Sequence, residues 1–196
     1  MAKSNPEPLR FSCTCGSLCG HISPKAAKAG TRVVCHCPDC RAAALYHGCP
    51  DPAELGGADL MHLSPDAVII DQGAEHLRLM QLSPKGLYRW YADCCNTPLL
   101  ATPRSPKLPL VSMRSAIFEE PDRLGKVVAE AFVPQRGKPP RHKGAGRLVF
   151  QLASRMISAW STGRWKNNPF FDSTSGTPIA TSTVLSKEQR SALTRP

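Results

Sequence analysis

The 196-residue sequence predicts a mainly β domain of short antiparallel strands, followed by a C-terminal helical extension. Three observations carry this. Between Val68 and Arg114 short apolar runs recur: Val68-Ile69-Ile70, His76 to Leu82, Leu87 to Tyr91, Thr97 to Ala101 and Leu108 to Met113. Turn residues such as Asp71-Gln72-Gly73 and Ser83-Pro84-Lys85-Gly86 separate most of them, which suggests a meander or two packed sheets, not parallel strands with crossover helices. Seven of the nine cysteines fall in tight groups, at 13 and 15, at 35, 37 and 40, and at 94 and 95. Finally, Arg147 to Gly163 gathers Arg147, Gln151, Ser154, Arg155, Ser158 and Thr162 on one narrow arc of a 3.6-residue period.

Residues 1–8, with two prolines, read as a flexible arm. Leu9 to Ser12 is a strand leading into Cys13-Thr14-Cys15-Gly16, where residues two apart in an extended chain point the same way and Gly16 lets the chain turn. Ser17 to Ile22 and Thr31 to Cys35 read as a hairpin-like pair punctuated by Pro24 and Gly30. Its second strand delivers Cys35-His36-Cys37-Pro38-Asp39-Cys40-Arg41. Pro38 opens a short helix through Tyr46, so Cys40 sits where free N–H groups and the helix dipole favour a thiolate.

Cys49, in a Gly-Cys-Pro-Asp-Pro turn, reads as an ordinary thiol. Cys94 and Cys95 would face opposite ways on a strand, so their sharing one ion requires a tight turn, which Asn96 and Pro98 can supply. These features make residues 9–133 a zinc-binding β domain, 134–146 a basic Pro/Gly linker and 147–196 a helical extension packed on the domain or on a partner. The apolar face of that helix, Leu148, Val149, Leu152, Met156, Ile157 and Trp160, requires burial against the sheet or a second subunit, and a homodimer through residues 147–163 would provide it. Trp165 to Phe171 is an aromatic segment expected on the core, and Ser186-Lys187-Glu188-Gln189 is a capping box that starts a last helix through Leu193.

Composition narrows the function. No apolar run approaches the ~20 residues of a membrane span, and Met1 to Pro6 leads into no signal-peptide-like stretch, so the expected location is the cytoplasm. Nine cysteines, an odd number with seven in tight groups, are unlike the even, spread framework of a secreted disulfide domain. The net charge of +10 lies wholly in the second part: residues 104–196 carry 16 Lys/Arg and 6 Asp/Glu, against 9 and 9 in residues 1–103. Such a surface could attract nucleic acid, but no aromatic residues are interleaved with the charges, and a solvated surface is the favoured reading.

Structural zinc sites are usually closed by four protein ligands, whereas catalytic ones keep three and an open position. Seven clustered cysteines therefore suggest one closed and one open Zn²⁺ site.

The order Cys13-Thr14-Cys15-Gly16, Cys35-His36-Cys37-Pro38-Asp39-Cys40-Arg41, Cys95-Asn96-Thr97-Pro98-Leu99 resembles the glutathione-dependent formaldehyde-activating enzyme family, which includes centromere protein V-like proteins, over residues 9–115. The resemblance implies an Mss4-like β fold with a structural zinc on the first C-x-C and a later C-x-x-C. It also implies a catalytic zinc on Cys35, Cys37 and Cys40. The late motif departs from the family form C-x-x-C-G-T-P-L: Cys95 takes the second cysteine, Asn96 the glycine and Ala92 the first cysteine. Cys94, water or another side chain must fill that place, with Cys19 a weaker substitute.

The implied activity is that of a carbon–sulfur lyase in which glutathione, or another small thiol, adds to formaldehyde. Arg32, Arg41, Lys85 and Arg89 are candidates for the glutathione carboxylates, His36 is expected to point away from the metal, and Asp39 to be a helix-start residue. The alternative is a non-catalytic, zinc-stabilised binding module whose basic C-terminal part contacts nucleic acid or a protein partner.

Overall fold

The structure, a computed structural model, describes residues 7–194. In chain order the elements are β1 (Leu9–Ser12), β2 (Cys19–Ile22), α1 (Pro24–Ala29), β3 (Thr31–Cys35), α2 (Pro38–Tyr46), β4 (Ala58–Leu63), β5 (Val68–Gln72) and β6 (Leu77–Gln81). There follow β7 (Tyr88–Ala92), β8 (Thr97–Thr102), β9 (Val111–Arg114), β10 (Val127–Gln135), β11 (Lys138–Lys143), α3 (Ala145–Ser161), β12 (Ser182–Val184) and α4 (Lys187–Thr194). A small sheet, β1-β2-β5, packs on a larger one of order β11-β10-β3-β4-β9-β8-β7-β6-β12. The fold is mainly β, with antiparallel and mixed pairing: β10 runs parallel to β3, and β12 parallel to β6.

Strand alternation explains the core. Phe11, Ile22, Met61, Leu63, Leu79, Trp90, Val111 and Met113 turn inward between the two sheets. The aromatic segment after α3 closes this core, with the Phe170 ring 5.3 Å from that of Trp90. The indole N–H of Trp90 donates to Thr102 Oγ1 at 3.0 Å, so a fully buried donor has its partner.

Several expectations are corrected. The second and third strands do not pair: β2 lies between β1 and β5, while β3 joins the large sheet between β10 and β4. Between them Pro24 starts α1 instead of a turn, because Ser23 caps it by accepting the Ala26 N–H at 3.1 Å. The segment 134–146 is not a linker. It forms the hairpin of β10 and β11, turning at Arg136-Gly137 where Gly137 has φ 66°. Pro139 and Pro140 are accommodated because β11 is an edge strand, where missing donors are tolerated. Of the expected flexible arm, residues 1–6 lie outside the described residues, and Leu9 is already in β1.

The helix over 147–163 starts at Ala145 and sits differently from its pattern. Its polar arc partly faces the domain. Thr31 Oγ1 donates to Gln151 Oε1 at 3.0 Å, and Arg155 donates to the Ala29 carbonyl at 2.8 Å. The Ala29 carbonyl at the end of α1 takes its partner from α3, and with that polar arc turned inward Val149, Phe150 and Ile157 are 63%, 73% and 59% exposed. Among the described residues no helix is long and apolar enough to cross a membrane.

At the C-terminal end the capping box forms as read. Ser186 Oγ accepts the Gln189 N–H at 3.2 Å, and Gln189 Oε1 accepts the Ser186 N–H at 2.9 Å. The helix it starts, α4, packs on α2, where Arg190 pairs with Asp39 at 3.3 Å.

Replacing Thr102 with Val keeps the shape but strands the Trp90 N–H in the core. Urea unfolding should show a loss of about 1–3 kcal/mol, larger than for Ser in the same position.

Candidate metal centres and the adjoining cavity

The first centre is built by two turns. After β1 the chain reverses at Gly16, φ 78°, which leaves Cys13 buried and Cys15 exposed on the same side. Between β7 and β8, Asn96 adopts φ 57°, the left-handed conformation that Asn tolerates better than most residues. That tight turn lets the adjacent Cys94 and Cys95 face one point.

All four sulfurs lie within 4.8 Å of one another. Cys13 to Cys15 is 3.6 Å, Cys13 to Cys94 3.7 Å, Cys15 to Cys94 3.4 Å and Cys94 to Cys95 3.8 Å. A tetrahedral ion with metal–sulfur bonds of about 2.3 Å requires edges of about 3.8 Å, so the donor set and spacing fit a closed thiolate site. Thr97 braces it: its hydroxyl accepts the Thr14 N–H at 3.0 Å and lies 3.0 Å from Cys95 Sγ. Hydrogen bonds from Ser17 pull the Cys15 thiol down to about 6, so one thiolate is already favoured here. Ala92 is fully buried in β7 and offers no ligand; Cys94 supplies the fourth sulfur. Cys19 and Cys49 belong to neither group.

The second centre lies where β3 runs into α2. Cys35 ends the strand, Cys37 is the N-cap of the helix and Cys40 lies in its first turn; the three sulfurs fall within 4.8 Å of one another. Cys37 Sγ accepts the Cys40 N–H at 3.3 Å, a cap made by sulfur in place of the usual oxygen. The S–H groups of Cys35 and Cys40 favour its ionised form, as do that N–H and the charge of Arg89, and together they hold Cys37 down to about 2 against the opposing effect of burial. The same contacts push Cys35 and Cys40 up. One thiolate stabilised by two thiols is a group prepared for a soft cation. Both cysteine groups are thus placed to hold metal ions, four ligands in one and three in the other.

The two centres share a connection. His47, the C-cap residue of α2, donates from Nδ1 to Asn96 Oδ1 at 2.8 Å, and Asn96 Nδ2 donates to the His47 carbonyl at 3.3 Å. Burial holds the His47 ring below its ordinary pKa, so it sits neutral in this link.

Cys35, Cys37 and Cys40 all line a cavity of about 370 Å³ bounded by the large sheet, α2 and Leu148 of α3. Its walls are mostly apolar, including Val33, Ala43, Leu60, Leu100 and Leu110. Phe132 stands at its rim in a bulge of β10, at φ 58°, a conformation a bulky residue rarely adopts. Its ring meets the edge of His142 at 4.8 Å, so the β10–β11 hairpin supports that strain.

Of the four basic candidates for an anionic ligand, Arg32 is held by Asp59 and Arg41 by Asp51, and Lys85 does not reach the cavity. Arg89 lines it, and so does Arg114, which the sequence reading missed. The alternation of Val111-Ser112-Met113-Arg114 was the available signal, since it sets two polar side chains on the face opposite the core. His36 lies 3.9 Å from Glu130, and Asp39 is engaged by Arg190.

A β domain with one four-thiol and one three-thiol group, the latter opening on a cavity, defines a two-centre thiol protein. The chain belongs to a family of unknown function (DUF6151), whose model matches residues 3–138. Among solved structures it is similar to the crystal structure of a Rhodobacter sphaeroides protein, at 21% identity over 62% of this chain and 98% of that chain, with a TM-score of 0.43. Comparison with curated proteins gives no match.

His62, on the cavity wall, has a buried Nδ1 with no partner among the described residues. Burial, with the nearby charge of Arg155, lowers its pKa to about 4. Its folded value lies below the unfolded one, so as pH falls from about 6.5 toward 4 the unfolded chain takes up a proton that the folded chain refuses. Stability should therefore drop by about 2–3 kcal/mol over that window. His62→Asn should remove this part of the slope, which paired urea titrations at pH 7 and pH 4.5 will measure.

Proposed function

We propose that both cysteine groups bind zinc, in an Mss4-like domain of the cytoplasm, and that the protein is a carbon–sulfur lyase of the glutathione-dependent formaldehyde-activating type. The observation that supports this most is the contrast between the groups: one has four sulfurs and closes on itself, while the other has three and opens into a cavity. Zinc held by Cys35, Cys37 and Cys40 would leave one position for an incoming thiol and favour its thiolate.

The chain's own residues would do the rest. The apolar wall keeps water from the reacting sulfur, and the α2 N-terminus with its Cys37 cap fixes the three ligands in one geometry. The reaction joins the thiol sulfur to the aldehyde carbon and passes the thiol proton to the carbonyl oxygen, so no oxidant or reductant is needed. The reverse step splits the adduct.

Metal analysis should find two zinc ions per chain, one in each group. Cys37→Ser should lose one and keep the fold, and glutathione should perturb the NMR signals around Cys40 and Ala43 in the native protein alone. A single metal per chain, with no response to glutathione, would sink the reading. Turnover is read by the exchange rate between formaldehyde and S-hydroxymethylglutathione, which Cys37→Ser should lower to the uncatalysed level.

A second reading concerns association, supported by the exposed Val149, Phe150 and Ile157 on α3. The helix favours a homodimer over a nucleic-acid contact, because its exposed stripe is apolar. Sedimentation should give a dimer that Phe150→Glu with Ile157→Glu converts to a monomer. A native monomer at high concentration would dismiss the dimer.

A further inference from the structure

Arg89 and Arg114 differ from the other half-buried arginines of the domain. Arg32 and Arg164 make ion pairs, and Arg155 donates to Ala29 and Thr31. Arg89 and Arg114 have no hydrogen bond and no carboxylate partner among the described residues, although both are half-buried and both line the same cavity. A guanidinium stays charged at any working pH, and partial burial without a hydrogen-bonding partner costs desolvation.

Strand register shows why they converge. Arg89 stands opposite Ala101, Ala101 opposite Ser112, and Ser112 opposite His62, forming one lateral row on the cavity face of the sheet. The adjacent row runs Arg114, Leu60, Val33, and the next runs Ala58, Cys35, Ala131. Laterally paired residues share a face. The two arginines therefore look onto the surface that also carries the cysteine centre, and the charge of Arg89 is felt at Cys37.

Of the other ionisable side chains of the cavity, only the Cys37 thiolate, held down in part by Arg89, answers these charges. Asp39 is taken by Arg190, and His47 and His62 are held neutral by burial. What remains is an apolar chamber of about 370 Å³ with two guanidinium groups that no carboxylate answers at one part and the three cysteines at another. That lies at the small end of the range for ligand sites.

We propose that Arg89 and Arg114 clamp the carboxylate of a small organic acid whose apolar body fills this cavity toward Cys35, Cys37 and Cys40. Planar guanidinium groups match a carboxylate with paired N–H donors. The substrate class is then a mercapto carboxylic acid, or its aldehyde adduct, with a short hydrocarbon between its two ends. The thiol end rests on the proposed zinc–thiol chemistry; the carboxylate clamp does not.

The test uses the zinc-loaded full chain and NMR titration with three probes: hexanoate, hexanol and 6-mercaptohexanoate. Hexanoate should bind about tenfold or more tightly than hexanol. Arg89→Gln with Arg114→Gln should abolish that advantage while keeping hexanol binding and zinc content, which also reports an intact site. Should the double variant unfold, each single Gln variant is expected to lose affinity for hexanoate by several-fold, with the Lys variants retaining part of it.

Equal binding of acid and alcohol by the native protein, or undiminished hexanoate binding by the Gln variants, would overturn the clamp. Loss of zinc from folded Arg89→Gln with hexanoate binding unchanged would also overturn it, assigning that arginine to the cysteine centre. Displacement of hexanoate by an equal concentration of inorganic phosphate would overturn the carboxylate assignment. A 6-mercaptohexanoate that binds no tighter than hexanoate would count against the zinc–thiol reading and leave the clamp standing.

Discussion

Four sulfurs from two segments about eighty residues apart lie within 4.8 Å of one another, and much of the fold follows from keeping them there. Thiols by themselves gain only weak S–H···S contacts from such crowding, whereas a soft cation would gain four thiolate bonds. To meet that requirement the end of β1 must lie against the β7–β8 turn. The small sheet is thereby fixed on the large one, and Phe11, Ile22 and Trp90 share one core between them.

Helix α2 then divides the work of the domain. Its N-cap and first turn carry two of the three cysteines of the open group, and its C-cap residue His47 is bound through side chain and carbonyl by Asn96 from the turn of the closed group. A short helix thus spans the two centres, with its Ala42 and Ala44 wholly buried. The cavity exists because α2 and α3 cover the sheet face without filling it. Small residues, Ala43 on the helix and Ala58, Ala101 and Ala131 on strands, leave that space. The strained Phe132 marks where the covering ends.

Much of this was legible from local chemistry. The cysteine spacings, Pro38 at a helix start, Asn96 in a tight turn and the Ser186–Gln189 cap each act within a few residues, and each is found in the structure. The errors arose where distant residues decide. Nothing near Thr31 announces that its strand leaves the first hairpin and pairs in parallel with β10, nearly a hundred residues later. Pro139 and Pro140 look like a linker until an edge position makes their missing donors harmless. The polar arc of α3 looks solvent-facing until the Ala29 carbonyl and Thr31 hydroxyl claim Arg155. Arg114 could have been found, since its strand alternates, but only pairing registers reveal that it shares a face with Arg89.

The different chain separations within the two cysteine groups make their binding energies serve different ends. A bridge between Cys13 and Cys94 closes a loop spanning 81 positions, and on the chain-entropy scale of a covalent cross-link that removes about 4–5 kcal/mol of freedom from the unfolded state. Cys35 to Cys40 spans a single strand-to-helix junction, so an ion there restrains almost nothing that the backbone has not already fixed. With an ion bound, the first group would fasten the polypeptide. The second could exchange its occupant while the polymer around it hardly registered the difference.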